Sequence, residues 1–329
     1  MARKIISFIL HCRLEDVIAA GFSSTLLLFF FTTSLFHSFQ LNGHDIIFIL
    51  LPVGILGVKT LLHLLFSSEA DSEKLDTGKY LATFFKPLLK IFRDWFPFLL
   101  LSACYYALYT NLMLRVNPHT ADGFLSRIDA ALLGNQASIL LQPWINPWLT
   151  DFFNLVYFSY VFSLPAVALY LYLKKQEKIF RRVMMGYLTL MLMGITSYLL
   201  VPAVGPEKFF ASQYTSDLQG RAVSRGVTYI INAGRVGYDC FPSLHVGIPL
   251  LLSLYMRDYL KKLFLPALAY VGVMCGATIY LRYHYVTDVI AAFAYAPAAY
   301  WLNDFLLSRW PGERITAAGV KNPETKPAV

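Results

Sequence analysis

The feature that most constrains this chain is a series of apolar runs, each near the roughly 20 residues a helix needs to cross a hydrocarbon layer about 30 Å thick. They fall at Val17–Phe39, Ile46–Phe66, Trp95–Leu114, Phe152–Leu173, Val183–Val204, Leu263–Leu281 and Val286–Leu307. An eighth, Leu244–Met256, reaches spanning length only if its helix starts near Pro242 and runs on to Tyr259. The expected fold is therefore all-α and integral to a membrane, with about eight spans and both termini on one side. Hydrophobic residues are 57% of the chain and charged ones 15%, with mean hydropathy +0.53, which leaves a soluble globule too little polar surface to cover its core. Cys12, Cys104, Cys240 and Cys275 are too sparse for a disulfide scaffold and lack metal-ligand spacing.

A formal charge of +8 raises the question of nucleic acid, and the placement of the 28 basic residues answers it. The loops on one side (the first 14 residues, Ser67–Asp94, Lys174–Arg182, Arg257–Lys262 and the tail from Arg309) hold 20 of them, and the opposite loops hold 7. Lys59 lies inside the second run and snorkels to the basic side. Lys and Arg accumulate on the cytoplasmic face, so the termini are expected there and a nucleic-acid partner is not. No small-residue cleavage site follows the first run, so it is expected to stay as a helix rather than be removed as a signal. The segment Ser67–Asp94, rich in charge, reads as a cytoplasmic linker. Two outer connections are long, Arg115–Asp151 and Gly205–Phe241, and long loops in compact proteins tend to carry function. The first contains Ala130–Leu133, Ile139–Leu141, Trp144 and Trp148, and is expected to lie along the outer interface as amphipathic helix.

Ionisable residues at membrane depth are costly, which makes them functional candidates. Two stretches at the outer ends of runs qualify. In Asp239-Cys240-Phe241-Pro242-Ser243-Leu244-His245, a Pro at the first helical position would leave the amides of Ser243, Leu244 and His245 open toward a phosphate, with the Ser243 hydroxyl as a further donor. In Arg282-Tyr283-His284-Tyr285-Val286-Thr287-Asp288, His284 and Asp288 are spaced i, i+4 and share a face if helical. A carboxylate on one ring nitrogen would fix the tautomer and leave the other nitrogen as base or nucleophile, while the Arg282 fork suits phosphate oxygens. His11, His37, His44, His63 and His119 read as structural or interfacial residues, and Arg221, Arg225 and Arg235 as solvated loop charges. A zinc set is the competing reading of the two histidines and the aspartate, with Asp239 or Cys240 supplying a further ligand. A transporter with a His/Asp proton relay is the non-enzymatic alternative, but it calls for ionisable residues mid-span, and only Lys59 and His63 lie there.

Pro242-Ser243-Leu244-His245, followed about 40 residues later by His284-x-x-x-Asp288, resembles the second and third signature motifs of the type 2 phosphatidic acid phosphatase superfamily. That resemblance implies a six-helix catalytic core over residues 95–308, preceded by two helices and the linker (1–94) and followed by a cytoplasmic tail (309–329). It further implies a phospholipid or lipid phosphate substrate, no metal or other cofactor, and a site on the extracytoplasmic face of the plasma (inner) membrane. Carried onto this chain, the family mechanism makes His284 the nucleophile that becomes phosphohistidine. Asp288 then orients it, and His245 protonates the leaving alcohol and activates the acceptor. Ser243, Arg282 and Lys208 are the implied phosphate-binding residues.

The departures from the family pattern are specific. Its first motif, KxxxxxxRP, is absent, and Lys208 only occupies the approximate place. Ala277-Thr278 replace a Ser-Arg pair, and Leu244 stands where many phosphatases have Gly. With Arg127-Ile128-Asp129 before Leu133-Gly134, and Tyr157-x-Ser159-Tyr160 before Pro165, these features resemble the branch that contains inositol phosphorylceramide synthases. The same site chemistry serves a phosphatase if water is the acceptor and a phosphotransferase if it is a lipid hydroxyl. An apolar lid over Ala130–Trp148 that excludes water would favour transfer.

Overall fold

A computed structural model describes residues 12–32, 86, 89–101, 105, 117–234 and 237–310. The expected run Ile46–Phe66, the end of Val17–Phe39 beyond Thr32, most of the linker, Arg235, the outer half of Trp95–Leu114 apart from Tyr105, and the tail beyond Trp310 lie outside them. Among the described residues every regular element is helical. The longer ones are α1 (Leu14–Thr32), α2 (89–101), α3 (Asp122–Leu133), α4 (Pro147–Leu173), α5 (Glu177–Leu200), α6 (Ala222–Gly234), α7 (Leu244–Tyr259), α8 (Lys261–Tyr280) and α9 (Val286–Arg309). Three of them, α4, α5 and α8, are long and apolar enough to cross a membrane. Helix α2 is already formed at residues 89–94, inside the stretch read from sequence as linker.

Helix ends follow local chemistry. Asn146 caps α4 by accepting the Leu149 amide at 3.0 Å, and Pro147 supplies a preset φ at the first helical position. Lys175, at φ 58°, turns the chain tightly between α4 and α5. Helix α7 is the hub, packed against α4, α5, α8 and α9, and α5 buries Met184, Leu188 and Ile195 in the same core, while Phe180 at its start packs on Trp95 and Tyr172. Helix α5 also packs directly on α7. It approaches α7 closely because it carries glycine where a side chain would collide. A Cβ on Gly186 would lie 2.1 Å from the Tyr255 hydroxyl, and one on Gly194 2.8 Å from the Leu244 side chain.

At one end of the bundle the basic loops meet acids. Arg13 pairs with Asp94 at 2.7 Å, Arg181 grips Glu15 with two bonds of 2.9 and 3.0 Å, and Arg182 pairs with Asp304 at 2.8 Å. The Trp310 indole donates to the Cys12 carbonyl at 2.8 Å, tying the end of α9 to the start of α1. The opposite end holds α3, the start of α4, the long connection 201–243 and the turn before α9.

Candidate active site

Helix α3 organises that opposite end in a way that inverts the usual amphipathic pattern. Its inner face is Asp122, Leu125 and Asp129, all buried, while Phe124, Leu132 and Leu133 point outward. The outward apolar surface continues through Leu140, Trp144 and Trp148, in keeping with an interfacial segment. Inward, Asp122 accepts the amides of Val204 and Gly205 at 3.0 and 2.9 Å and the Tyr285 hydroxyl at 2.9 Å. Asp129 accepts the amides of Val286 and Thr287, both at 2.8 Å, and the Thr287 hydroxyl at 2.6 Å. Two carboxylates two turns apart therefore hold the long connection and cap the first turn of α9.

The histidines meet where these segments converge. His245 sits in the first turn of α7, half-buried, and His284 lies in the turn before α9, buried. His284 Nε2 and His245 Nδ1 are 3.3 Å apart. The other nitrogen, His284 Nδ1, is 2.9 Å from the Cys240 carbonyl oxygen and 3.4 Å from Asp288 Oδ2. A carbonyl only accepts, so Nδ1 carries a proton; in the neutral form of that tautomer Nε2 presents a lone pair, for which His245 Nδ1 is the donor.

Some expectations need correction. His284 and Asp288 do not share a helical face, because α9 begins only at Val286. Asp288 instead folds back onto the turn, accepting the Tyr285 amide at 2.8 Å and the Cys240 thiol at 2.9 Å. Pro242 is not the first helical residue either: α7 starts at Leu244 with Ser243 as its N-cap. The Tyr198 hydroxyl donates to the Pro242 carbonyl at 3.1 Å, and the Ser243 amide donates to the Asp288 carbonyl at 3.2 Å. Those two bonds hold Pro242 and Ser243 against α5 and α9 and spend one of the three amides expected to face phosphate. The Ser243 hydroxyl does stay open: it is buried, caps nothing and has no partner.

The cations are arranged less simply. Arg282, at φ 66° and buried, donates from Nη2 to the Ser216 carbonyl at 2.5 Å and stacks on Tyr214 at 3.8 Å, with Nε unpartnered. Burial pulls its pKa below the usual range. Lys208 is exposed, its Nζ 3.9 Å from where a Cβ on Gly237 would stand. Sequence reasoning left Cys240 without a role beyond a spare metal ligand. Its thiol and its carbonyl both touch the His284–Asp288 pair, and burial beside the Asp288 carboxylate pushes the thiol pKa well up. Cys240 Sγ, His284 Nδ1 and Asp288 Oδ2 lie within 4.8 Å of one another, a spacing a metal could use. A thiol held protonated and an Nδ1 whose proton points at a carbonyl are, however, poor ligands as they stand. Asp239 accepts the Tyr105 hydroxyl at 2.9 Å rather than joining that group, and burial raises its carboxyl pKa.

The fold and site define an all-helical membrane protein built around a pair of histidines and a buried carboxylate. The sequence profile of the PAP2 superfamily matches residues 123–302, more than half of the chain, and the chain belongs to that superfamily. The match runs from α3 into α9 and includes His245, His284, Asp288, Cys240, Ser243 and Arg282, while Asp122 lies just before it. No curated protein and no solved structure matches the chain. Membership carries chemistry of the phosphatase or phosphotransferase type on lipid phosphate in a membrane.

Proposed function

We propose that the protein moves a phosphoryl group from a lipid phosphate or phospholipid head group through a phosphohistidine on His284, at the extracytoplasmic face, without a metal. The observation that carries this reading is the pair of contacts at His284: Nδ1 lies 2.9 Å from the Cys240 carbonyl, which can only accept, and Nε2, free to hold a lone pair, lies 3.3 Å from His245 Nδ1. A nucleophile and an acid are thereby set side by side.

The phosphoryl group enters between the rings and replaces their direct contact. The bond from Nε2 to phosphorus forms as the bond to the leaving oxygen breaks, and that oxygen takes the proton of the His245 imidazolium. Neutral His245 then removes a proton from the acceptor hydroxyl, which attacks phosphorus and returns the electron pair to His284. The unpartnered Ser243 hydroxyl is a donor for the equatorial oxygens, where most of the stabilisation of phosphoryl transfer resides. Arg282 reaches them only by leaving Ser216 or through its free Nε, and Lys208 only as a mobile surface cation. The resemblance of Asp129 and the Tyr157–Tyr160 stretch to inositol phosphorylceramide synthases, with the apolar outer face of 124–148, favours a lipid alcohol over water as acceptor.

Acid-quench mass spectrometry tests the reading. With p-nitrophenyl phosphate, whose leaving group needs little protonation, His245→Ala should still form phosphohistidine on His284 and accumulate it. With an alkyl phosphate the same variant should lose about 10²- to 10⁴-fold. His284→Ala should be inactive on both. Phosphate recovered on His245, or on neither histidine under single-turnover conditions, would overturn the assignment. Labelled phospholipid incubated with and without a lipid alcohol separates free phosphate from new lipid and so decides the acceptor.

A further inference from the structure

The Tyr157-x-Ser159-Tyr160 stretch has no part in the mechanism above, yet it faces the acid. Both tyrosines stand on α4 one turn apart, hence on one face. The Tyr157 ring lies 4.4 Å from the His245 imidazole at 22°, a stacked pair, and the Tyr160 ring lies 4.4 Å away at 45°. Tyr157 is itself packed against Tyr283 at 4.6 Å, in the turn that carries His284. Ser159 between them is 2.7 Å from the Tyr270 hydroxyl, which fixes this part of α4 to α8. His245 thus has tyrosine on two sides and His284 on a third.

We propose that Tyr157 and Tyr160 are positioning residues that hold His245 as an imidazolium acid aimed at the leaving oxygen. The inference rests on the phosphohistidine reading and assigns it two further residues. The physical reason is the ring quadrupole: an aromatic face attracts a cation, more strongly when water is excluded. Stacking also removes rotation about the His245 side chain, so the proton stays where the leaving oxygen arrives. Neither tyrosine exchanges a proton in the reaction. Both act through His245 and favour its charged form before transfer, so their contribution to forming the phosphohistidine should appear only when the leaving group needs that proton.

The test compares an alkyl phosphate, phosphatidic acid in detergent micelles, with p-nitrophenyl phosphate, in the full chain and in Tyr160→Leu, Tyr160→Phe, Tyr157→Leu and Tyr157→Phe. In single-turnover formation of phosphohistidine the Leu variants should lose about tenfold or more in rate with phosphatidic acid and less than about threefold with p-nitrophenyl phosphate. The Phe variants should stay close to the parent on both, because the ring and not the hydroxyl is required. Activity on p-nitrophenyl phosphate reports that each variant is folded. Tyr160, half-buried where Tyr157 is buried, provides the milder substitution should Tyr157→Leu unfold. Equal losses on the two esters, no loss on either, or Phe behaving like Leu would overturn the inference while the parent still forms phosphohistidine. A parent that forms none with either ester would sink the underlying reading, and the inference with it.

Discussion

Single residues divide into those whose chemistry the sequence displays and those whose role lies in the backbone. His245, His284 and Asp288 were legible because ionisable groups at membrane depth are rare. The acceptor of the His284 proton was not, since it is the Cys240 carbonyl, a group every residue has. This shifts the expected behaviour of Asp288→Asn. Were Asp288 the sole partner of Nδ1, the amide would scramble the tautomer and act like loss of His284. With the Cys240 carbonyl 2.9 Å away and Asp288 Oδ2 at 3.4 Å, the variant keeps the tautomer and loses only the charge. A hydrogen bond to a charged group is worth about 1.5–3 kcal/mol, so turnover should fall roughly 10- to 150-fold, with phosphohistidine still detectable. A completely inactive Asp288→Asn protein would make the carboxylate the controlling partner. The protonated Cys240 thiol argues in the same direction about metals. EDTA should leave turnover unchanged and vanadate, a mimic of five-coordinate phosphorus, should inhibit; activity lost to EDTA and restored by zinc would instead make Cys240, His284 and Asp288 ligands.

Whole elements were most legible where a uniform apolar run left no choice. Helices α4, α5, α8 and α9 begin and end within about six residues of the runs that predicted them, because the flanking charges and caps sit at the membrane borders. Helix α3 was legible only as an interfacial segment. Its buried face is acidic, and hydrophobic periodicity alone cannot announce that Asp122 and Asp129 point inward to collect amides. The start of α7 was misplaced for a related reason: contacts from Tyr198 and Asp288, distant in sequence, hold Pro242 and Ser243 outside the helix. Asp129 is where an element-scale prediction has leverage. Asp129→Ala uncovers the amides of Val286 and Thr287 at the start of α9, two residues from His284, and should cost about 0.5–2 kcal/mol as loss of an N-cap does. Asp129→Asn keeps an acceptor and should recover most of it. Thermal unfolding in detergent measures the difference; Ala and Asn variants of equal stability would show that the cap contributes nothing.

At the scale of the molecule, charge and chemistry separate along the bundle. The ion pairs of Arg13, Lys90, Arg181 and Arg182 gather at one end, and the histidine pair lies at the other. The sequence count of basic residues, 20 against 7, is the ground for the proposal that the paired end faces the cytoplasm, the side that Lys and Arg prefer. Nothing in helix packing alone distinguishes the two faces of a bilayer, so the orientation rests on that asymmetry and is tested by access. Gln213, exposed in the connection that precedes α7, and Gln176, exposed in the turn between α4 and α5, sit on opposite ends. A cysteine at Gln213 should react with an impermeant thiol reagent in intact cells, and one at Gln176 should react only after the membrane is opened. The unsubstituted protein, with its 4 native cysteines, sets the background. The reverse pattern would place the histidines in the cytoplasm, where a lipid phosphate reaches them from the inner leaflet and where the acceptor would have to be drawn from that side.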